Sequence, residues 1–520
     1  MLFNSPVFLF LFLPLTLGAI HWLSRRDDRR PALALLTTAS LFFYGWWNPG
    51  HLPLILASMG VNFGLGLLLQ RLSGPANRLV LILGLAANLG LLGYYKYTAF
   101  VLHNFNAFLD SPLPVPAIVL PLGISFFTFQ QMAYLVDTAR GEAAESRFLP
   151  YALFVTFFPQ LIAGPIVHRR TVMHQFVRPG ALRLQLDNMV IGLTVFILGL
   201  AKKVLIADSL AHYANPVFTA AEQGLALSWI EAWGGALAYT LQIYFDFSGY
   251  SEMALGLGFL FGIQLPLNFN SPYKSLNIID FWRRWHITLS HFLRDYLYIP
   301  LGGSRLGATR RHGNLMITML LGGLWHGAGW TFVVWGGLHG GYLVINHLWR
   351  RLRPQSLATN WQPGGTVLAW GLTFGAVVVA WVFFRANSLA GAWGLLRAMF
   401  GGNGLDLPRT LAPWLAPLVE AWPSTVCRFD GAAPHDLFSL PHLALWLAGL
   451  LPLVVWFPNV MQLVHQHRPH PELPVTLRDP WHYRWLTWNP GPAWGLFMAL
   501  VLGLCMAHLS RVSEFLYFQF

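Results

Sequence analysis

Residues 318–338 read TMLLGGLWHGAGWTFVVWGGL and set a single histidine, His326, in the middle of an apolar run. Glycines precede and follow that histidine, and basic residues flank the stretch at Arg311 and Arg350. Ionisable side chains at membrane depth are costly and usually serve a function. Glycine permits close backbone approach and leaves space beside an imidazole. The pattern predicts a membrane hairpin that enters and returns around a functional His326, with room for a substrate tunnel.

The composition is that of an integral membrane protein. Of 520 residues, 55% are hydrophobic and 10% are charged, with a mean hydropathy of +0.50, whereas soluble domains carry roughly 25% charged residues. Since a spanning helix needs about 20 apolar residues, the apolar segments predict about eleven or twelve crossings. Segments near Phe127 and Leu257 are interrupted by Gly or Pro, which suggests re-entrant backbone. We predict an all-α polytopic membrane protein with added re-entrant and interfacial helices.

The basic residues predict the orientation of the chain. The net charge is +12, and most basic side chains lie in short loops, which indicates cytoplasmic loops rather than a nucleic-acid partner. Arginines at 25, 26, 29 and 30 follow the first apolar segment. That segment has neither a basic start nor a cleavage pattern, so we expect a retained helix. Both termini are predicted to lie on the outer side of the cytoplasmic membrane, away from the cytoplasm.

The chain is predicted to form one membrane domain over residues 1–520, with a core at about 115–400. Residues 401–441 are Pro-rich and predict an external loop, which either docks a partner or is a tolerated insertion. Residues 491–520 predict a C-terminal spanning helix with an aromatic tail. No internal repeat divides the chain.

Residues 281–303, FWRRWHITLSHFLRDYLYIPLGG, have helical periodicity. One stripe carries Arg283, His286, Ser290 and Arg294. Aromatic and aliphatic side chains occupy another stripe, so the stretch predicts an amphipathic helix of about five turns that ends at Pro300. Anchoring at the membrane interface explains the arginines. For His286 two interpretations stay open, a functional side chain or a residue of a purely interfacial helix.

Sequence signatures of hydrolases, zinc proteases, P-loops and CxxC metal sites are absent from the sequence. His286 and His291 are spaced by five residues, whereas a helical metal pair is spaced by four. The HQHRPH run at residues 465–470 has no surrounding set of ligands. We therefore expect an imidazole base that works without a metal and without a bound cofactor.

Several long segments carry a resemblance to a known family. They are PLGISFFTFQQMAYLVD (121–137), FFPQLIAGPIVH (157–168), YFDFSGYSEMALGLG (244–258), the stretch 281–303 and GGLWHGAGWTFVVWGGLHG (322–340). With these segments the chain resembles bacterial membrane-bound O-acyltransferases, and within them the alginate O-acetyltransferase branch. The resemblance implies a ring of helices around a central tunnel in the bacterial inner membrane. It also implies acetyl transfer from a cytoplasmic donor to a secreted polysaccharide.

The resemblance further assigns roles to individual residues. The catalytic histidine of the family matches His326, and its second functional position matches His286 best, with Asp295 as the alternative. Neutral imidazole, with a pKa of about 6.5, is a common base at physiological pH. The implied donor is acetyl-CoA or a thioester made from it. Arg283 and Arg294 are weaker candidates for attracting its phosphates.

The C-terminus EFLYFQF, residues 514–520, offers a second hypothesis. Phe515, Tyr517 and Phe520 resemble the F-x-Y-x-x-F end of the partner peptide in teichoic-acid D-alanylation systems, where the tyrosine is thought to carry the acyl group. A phenyl ester keeps a high transfer potential because phenolate is a fair leaving group. Tyr517 is therefore a candidate acyl carrier, against the alternative of an aromatic interfacial anchor.

Three classes of function remain open. Within acyl transfer, alginate is the leading acceptor, followed by bacterial cellulose, another exopolysaccharide and peptidoglycan. The expected partners are an extracytoplasmic SGNH-type acetyltransferase and polysaccharide export machinery. A transporter would give flux that is independent of acetyl-CoA. A non-catalytic scaffold would leave His326→Ala silent.

Overall fold

A computed structural model gives the fold of residues 1–162, 164–178, 180–352, 363–406, 427–428, 435–465, 467, 488–509 and 516. The described chain is almost entirely helical. The exception is a parallel pair of two-residue strands, β1 (Leu405–Asp406) and β2 (Cys427–Arg428). The prediction of an all-α fold is confirmed.

The helices of the first 201 residues are α1 (Leu13–Leu23), α2 (Arg30–Gly45), α3 (Leu52–Arg71), α4 (Gly74–Leu92), α5 (Thr98–Asn106), α6 (Ile124–Ala139), α7 (Phe148–Thr156), α8 (Phe158–Leu161), α9 (Arg169–Val177) and α10 (Leu186–Ala201). Two π-helical segments, Phe8–Phe12 and Gly93–Tyr97, extend α1 and join α4 to α5. A 3-10 turn, Pro49–His51, precedes α3.

The later helices are α11 (Asp208–Glu222), α12 (Trp229–Leu260), α13 (Ile278–Arg284), α14 (Ile287–Leu293), α15 (Ala308–His326), α16 (Trp330–Leu352), α17 (Pro363–Arg385), α18 (Leu389–Met399), α19 (Leu440–Trp456), α20 (Val460–Leu463) and α21 (Pro492–His508). π-Helical segments at Lys202–Ala207 and Arg294–Tyr298 precede α11 and follow α14. A 3-10 turn, Pro272–Lys274, precedes α13.

Four described helical stretches are long and apolar enough to cross a membrane: Pro49–Arg71, Gly74–Asn106, Leu186–Glu222 and Gly364–Arg385. Three shorter apolar helices are Phe8–Leu23, Leu440–Trp456 and Pro492–His508. These helices agree with a multi-pass membrane protein. The count of eleven or twelve crossings, the central tunnel, the domain bounds and the sidedness of the termini stay predictions.

The chain divides into two compact units. One comprises residues 1–201, 248–268 and 460–519, and the other comprises 202–247, 269–459 and 520. In the first unit α10 packs closely on α12 through Gly192 and Gly256. Any side chain at Gly256 would collide with the Gly192 carbonyl oxygen, so this contact requires glycine. The prediction of an interrupted, re-entrant segment near Leu257 is wrong. Its glycines allow close helix packing, and α12 continues unbroken to Leu260.

The second unit contains a buried ion cluster and the predicted hairpin. Lys203 Nζ lies 2.8 Å from Asp208 Oδ1 and 2.6 Å from Asp246 Oδ1, and all three side chains are almost fully buried. A buried charge needs such partners, because leaving it unpaired costs several kcal/mol. The hairpin consists of α15 and α16, joined by residues 327–329. The prediction that the chain turns back around His326 is confirmed.

The glycines of this hairpin allow the close approach that the sequence predicts. A side chain at Gly323 would meet the Phe332 backbone, one at Gly336 would meet the Met319 backbone, and one at Gly327 would meet the Phe332 ring. These glycines therefore let α15 and α16 approach closely. The expected space beside the imidazole of His326 stays a prediction.

The stretch predicted as one amphipathic helix from Phe281 to Pro300 is broken. Helix α13 ends at Arg284, Trp285 is extended, and His286 adopts a left-handed conformation before α14 begins. Side chains of adjacent residues on a continuous helix point about 100° apart, so only one of Trp285 and His286 could then face a narrow core. The break allows Trp285 and His286, with exposed fractions of 3% and 0%, to be buried together.

Candidate active site

Two buried imidazoles lie together where α15 ends. His326 is the last residue of α15, and His286 lies between α13 and α14. Their ring centroids are 6.3 Å apart, and only 4% of His326 and none of His286 is exposed. The structure therefore brings together the two histidines that were selected from distant parts of the sequence.

Aromatic rings surround this pair. Three of them have centroids 5.0–5.1 Å from that of His326, and they belong to Trp325, Trp335 and Phe384. The ring of Phe247 meets His286 edge-on at 4.8 Å. Buried aromatic surroundings exclude water, so hydrogen bonds and charge interactions within them are stronger than in solvent. The surroundings suit a proton transfer that must be shielded from water.

His286 is held in an unusual backbone conformation. Its φ is +42° and its ψ is +55°, a region that costs roughly 1–2 kcal/mol for a residue with a Cβ atom. Such strain persists where the surrounding structure imposes it, often at functional sites. His286 lies outside the four candidate spans, and its burial lowers its pKa from 6.5 to about 3. This imidazole is therefore neutral at physiological pH.

Two further N–H groups on α16 have no acceptor among the described residues, and one of them belongs to Trp335, whose ring contacts His326. Trp335 and His339 are one turn apart on α16, with ring centroids separated by 4.8 Å. The indole of Trp282 donates to His339 Nδ1 at 3.3 Å, so the hydrogen of the neutral imidazole is on Nε2. Among the described residues, neither His339 Nε2 nor Trp335 Nε1 has a hydrogen-bond partner, although both atoms are buried. An unpaired buried donor costs about 1–3 kcal/mol, so these two N–H groups are available to a carbonyl oxygen of a substrate.

The other predicted site residues lie in different surroundings. Arg283 is exposed on α13. Arg294 and Asp295 form an ion pair at 2.7 Å with side chains 55% and 34% exposed. This arrangement favours His286 over Asp295 as the partner of His326. Tyr517 lies outside the described residues, and its role stays a prediction.

Sequence reasoning missed the role of the rings on α16 and α17. Trp335 and His339 are spaced by four residues, which places them on one helix face, and the ring of Trp335 contacts His326. This spacing was the available signal. Trp381 and Phe384 come from WVFFRA, a stretch without ionisable groups before its arginine. Only the tertiary structure brings the ring centroid of Phe384 to 5.1 Å from that of His326.

Comparisons with known proteins show the family of the chain. A family model described as MBOAT, membrane-bound O-acyltransferase family, matches residues 96–388. The peptidoglycan O-acetyltransferase of Helicobacter pylori is 46% identical over 436 residues, which cover 78% of this chain and 81% of the relative. The probable alginate O-acetylase of Azotobacter vinelandii is 45% identical over 410 residues, with 77% and 78% covered. The teichoic acid D-alanyltransferase of Streptococcus thermophilus is 31% identical over 241 residues, with 44% and 57% covered.

The chain belongs to the membrane-bound O-acyltransferase family. Its match to the family model includes both histidines of the pair and all the rings around them. It is a multi-pass membrane enzyme that transfers acyl groups to oxygen, and its relatives at 45–46% identity make it a membrane O-acetyltransferase.

Proposed function

We propose that this enzyme passes acetyl groups from acetyl-CoA, or from a thioester made from it, toward hydroxyl groups of a secreted polysaccharide, with His326 as the general base. The observation that carries the proposal is the pair His286 and His326, both buried and 6.3 Å apart between centroids. A neutral imidazole in water-excluded surroundings can accept the proton of an attacking hydroxyl.

The reaction requires one proton transfer and one exchange of bonds. His326 takes the hydroxyl proton, and the oxygen forms a bond to the thioester carbonyl carbon. The carbon–sulfur bond then breaks, and the thiolate leaves with the proton returned from His326. His286 is neutral in this step, so it orients the acceptor or the donor by hydrogen bonding instead of supplying charge.

The carbonyl oxygen gains negative charge as the bond to the acceptor forms. Trp335 Nε1–H and His339 Nε2–H are two of the buried donors that have no partner in the described part of the chain. We assign them to this oxygen because donors that are fixed before the reaction need no reorganisation during it. Their bonds strengthen as charge develops, so they act mainly on the rate of transfer.

Alginate is the first acceptor that we propose. The basis is the similarity to the probable alginate O-acetylase of Azotobacter vinelandii, at 45% identity. Peptidoglycan is the second candidate, because the peptidoglycan O-acetyltransferase of Helicobacter pylori is similar to the same degree, at 46%. Bacterial cellulose and other exopolysaccharides follow. All four offer sugar hydroxyls outside the cytoplasm, so the chemistry at His326 is common to them.

The remaining parts of the proposal concern location and delivery. We place the enzyme in the bacterial inner membrane with both termini outside. Acetyl groups leave either directly on the polysaccharide or on Tyr517, from which an extracytoplasmic SGNH-type acetyltransferase next to the polysaccharide export machinery collects them. Arg283 and Arg294, both exposed in the structure, are the proposed attraction points for the donor phosphates.

The test uses purified enzyme in lipid with acetyl-CoA labelled in its acetyl group. Alginate and peptidoglycan fragments are supplied in separate reactions, and both the products and the digested enzyme are analysed by mass spectrometry. The wild type, His326→Ala and Tyr517→Phe are compared. We expect label on alginate with the wild type and none with His326→Ala.

The outcomes separate the parts of the proposal. Label on Tyr517 that is lost in both variants supports a covalent relay, whereas full acetylation by Tyr517→Phe excludes it. Label on peptidoglycan alone replaces the first acceptor with the second. Undiminished transfer by folded His326→Ala would rule out this histidine as the base.

A further inference from the structure

An open groove in the second unit is separate from the histidine pair. It lies between α16 and α17, beside the start of α13, and has a volume of about 980 Å³. Its walls are mostly apolar and include Tyr342, Ile345, Trp349, Leu368, Leu372 and Ala376. We call this feature the α16–α17 groove. Helix α17 is one of the four candidate spans, so we expect lipid to border the groove.

The length of the groove matches one leaflet of a bilayer. Along α17 the lining residues run from Gly365 to Ala376, a rise of roughly 16 Å at about 1.5 Å per residue. The hydrocarbon core of a bilayer is about 30 Å thick, so a chain that fills the groove reaches close to the midplane. An acyl chain of a single-leaflet lipid has this length and this apolar character.

One end of the groove is polar and basic. Arg350 lines it and donates a hydrogen bond to Asn277 at 3.3 Å. Within the described ranges this is its sole hydrogen bond, and Arg350 forms no ion pair there. Asn346 lies one turn deeper on the same face of α16, and its buried Oδ1 atom has no partner among the described residues. The end therefore offers a cation for an anionic group, with an amide beneath it at the depth of lipid ester groups.

Other positive side chains lie near this end. Arg311 is 3.2 Å from His312 Nε2, and the rings of His312 and His347 are 6.5 Å apart. Arg351 follows Arg350 and is exposed. Excess positive charge at the end of a hydrophobic channel attracts an anionic head group, at about 1 kcal/mol per basic side chain near a membrane surface. The ammonium of a zwitterionic lipid would add a like charge to the same place.

We propose that the α16–α17 groove binds one anionic phospholipid, with its phosphate at Arg350 and Asn277 and an acyl chain along Leu368, Leu372 and Ala376. This site goes beyond acetyl transfer and does not depend on it. The lipid fills a space that the described side chains leave open, and it couples α16, which carries Trp335 and His339, to the lipid composition of the membrane.

The test measures lipid binding directly. Purified enzyme in detergent is titrated with phosphatidylglycerol or phosphatidylethanolamine, and bound lipid is counted by native mass spectrometry. We expect the wild type to prefer phosphatidylglycerol. Arg350→Gln should weaken phosphatidylglycerol binding about fivefold, while Arg350→Lys keeps most of the affinity. Arg351→Gln is the matched control, since this neighbour carries the same charge but does not line the groove.

A second variant tests the apolar part without changing charge. Thr373→Phe places a ring inside the groove and should reduce binding of both lipids, with its fold checked by circular dichroism. Equal affinity for the two lipids, or equal effects of Arg350→Gln and Arg351→Gln, would overturn the proposal. Displacement of phosphatidylglycerol by coenzyme A would also overturn it, because the anion site would then belong to the acyl donor. None of these readouts uses acetyl transfer, so they are independent of the proposed reaction.

Discussion

The two ends of α16 carry polar side chains in opposite environments. Near its start, Trp335 and His339 are 1% and 0% exposed and sit among aromatic rings beside His326. Near its end, Arg350 is exposed and lines an open groove with Asn346. The same helix therefore offers neutral hydrogen-bond donors where water is excluded and a full charge where lipid head groups and water can reach it.

This difference follows from the cost of burial. A neutral donor without a partner costs about 1–3 kcal/mol inside a protein, which a folded chain can tolerate if a substrate later supplies the acceptor. An unpaired buried guanidinium would cost far more. We therefore propose that reaction chemistry at the buried end relies on neutral groups and that recognition at the open end relies on charge.

The largest effect that we expect is at the buried end. Replacing His326 with Ala removes the base and should lower acetyl transfer by about 10³-fold, because general bases contribute 10²–10⁴-fold. The measurement is the turnover of labelled acetyl-CoA in lipid. His347→Ala, on α16 toward its open end, should leave turnover within twofold. A variant at His326 that retains more than a tenth of the activity would contradict the assignment.

Two substitutions at His286 distinguish the backbone strain of this residue from the contribution of its imidazole to turnover. His286→Ala and His286→Gly both remove the imidazole, so each should lower turnover by about 100-fold. Glycine adopts φ +42° without penalty, so His286→Gly should be more stable than His286→Ala by about 1 kcal/mol. Thermal unfolding and turnover are measured on both variants. Equal stability would show that the left-handed conformation is not imposed on the folded state.

The indole N–H of Trp335 should have a smaller effect on the rate. Trp335→Phe keeps an aromatic ring but removes the donor, and turnover should fall about tenfold with KM nearly unchanged. Trp393→Phe, on the exposed side of α18, is the matched control. A rise in KM at constant kcat would instead assign Trp335 to binding of the donor before reaction.

The smallest effect that we expect is on the pH dependence of folding stability. Burial lowers the pKa of His286 from 6.5 to about 3, so between these values the unfolded chain binds a proton that the folded chain does not. The contribution of His286 to stability is therefore complete above about pH 6.5 and falls as the pH drops toward 3, by at most about 1.4 kcal/mol per pH unit. Thermal unfolding between about pH 7 and pH 4 should show a weaker dependence for His286→Gln than for the wild type. Parallel curves would contradict the burial of a neutral imidazole.

Some local patterns predicted the structure correctly because a single interaction dominates them. The apolar runs on either side of His326 form α15 and α16, which the short Gly-Ala-Gly segment joins with an extended Gly327. In contrast, the regular periodicity of residues 281–300 predicted a continuous helix that the structure does not contain. There, the joint burial of Trp285 and His286 outweighs the hydrogen bonds of a continuous helix.

The amino-acid sequence by itself determined the class of the protein, its hairpin and the two histidines, because apolar length and isolated ionisable groups in apolar surroundings are local properties. The tertiary structure decided which aromatic rings lie against His286 and His326. It set the 6.3 Å separation between the ring centroids of His286 and His326, left Asp295 in an exposed ion pair, and placed the glycines of α15 and α16 against the facing helix. These features depend on close packing between segments far apart in the chain, and no local pattern encodes that packing.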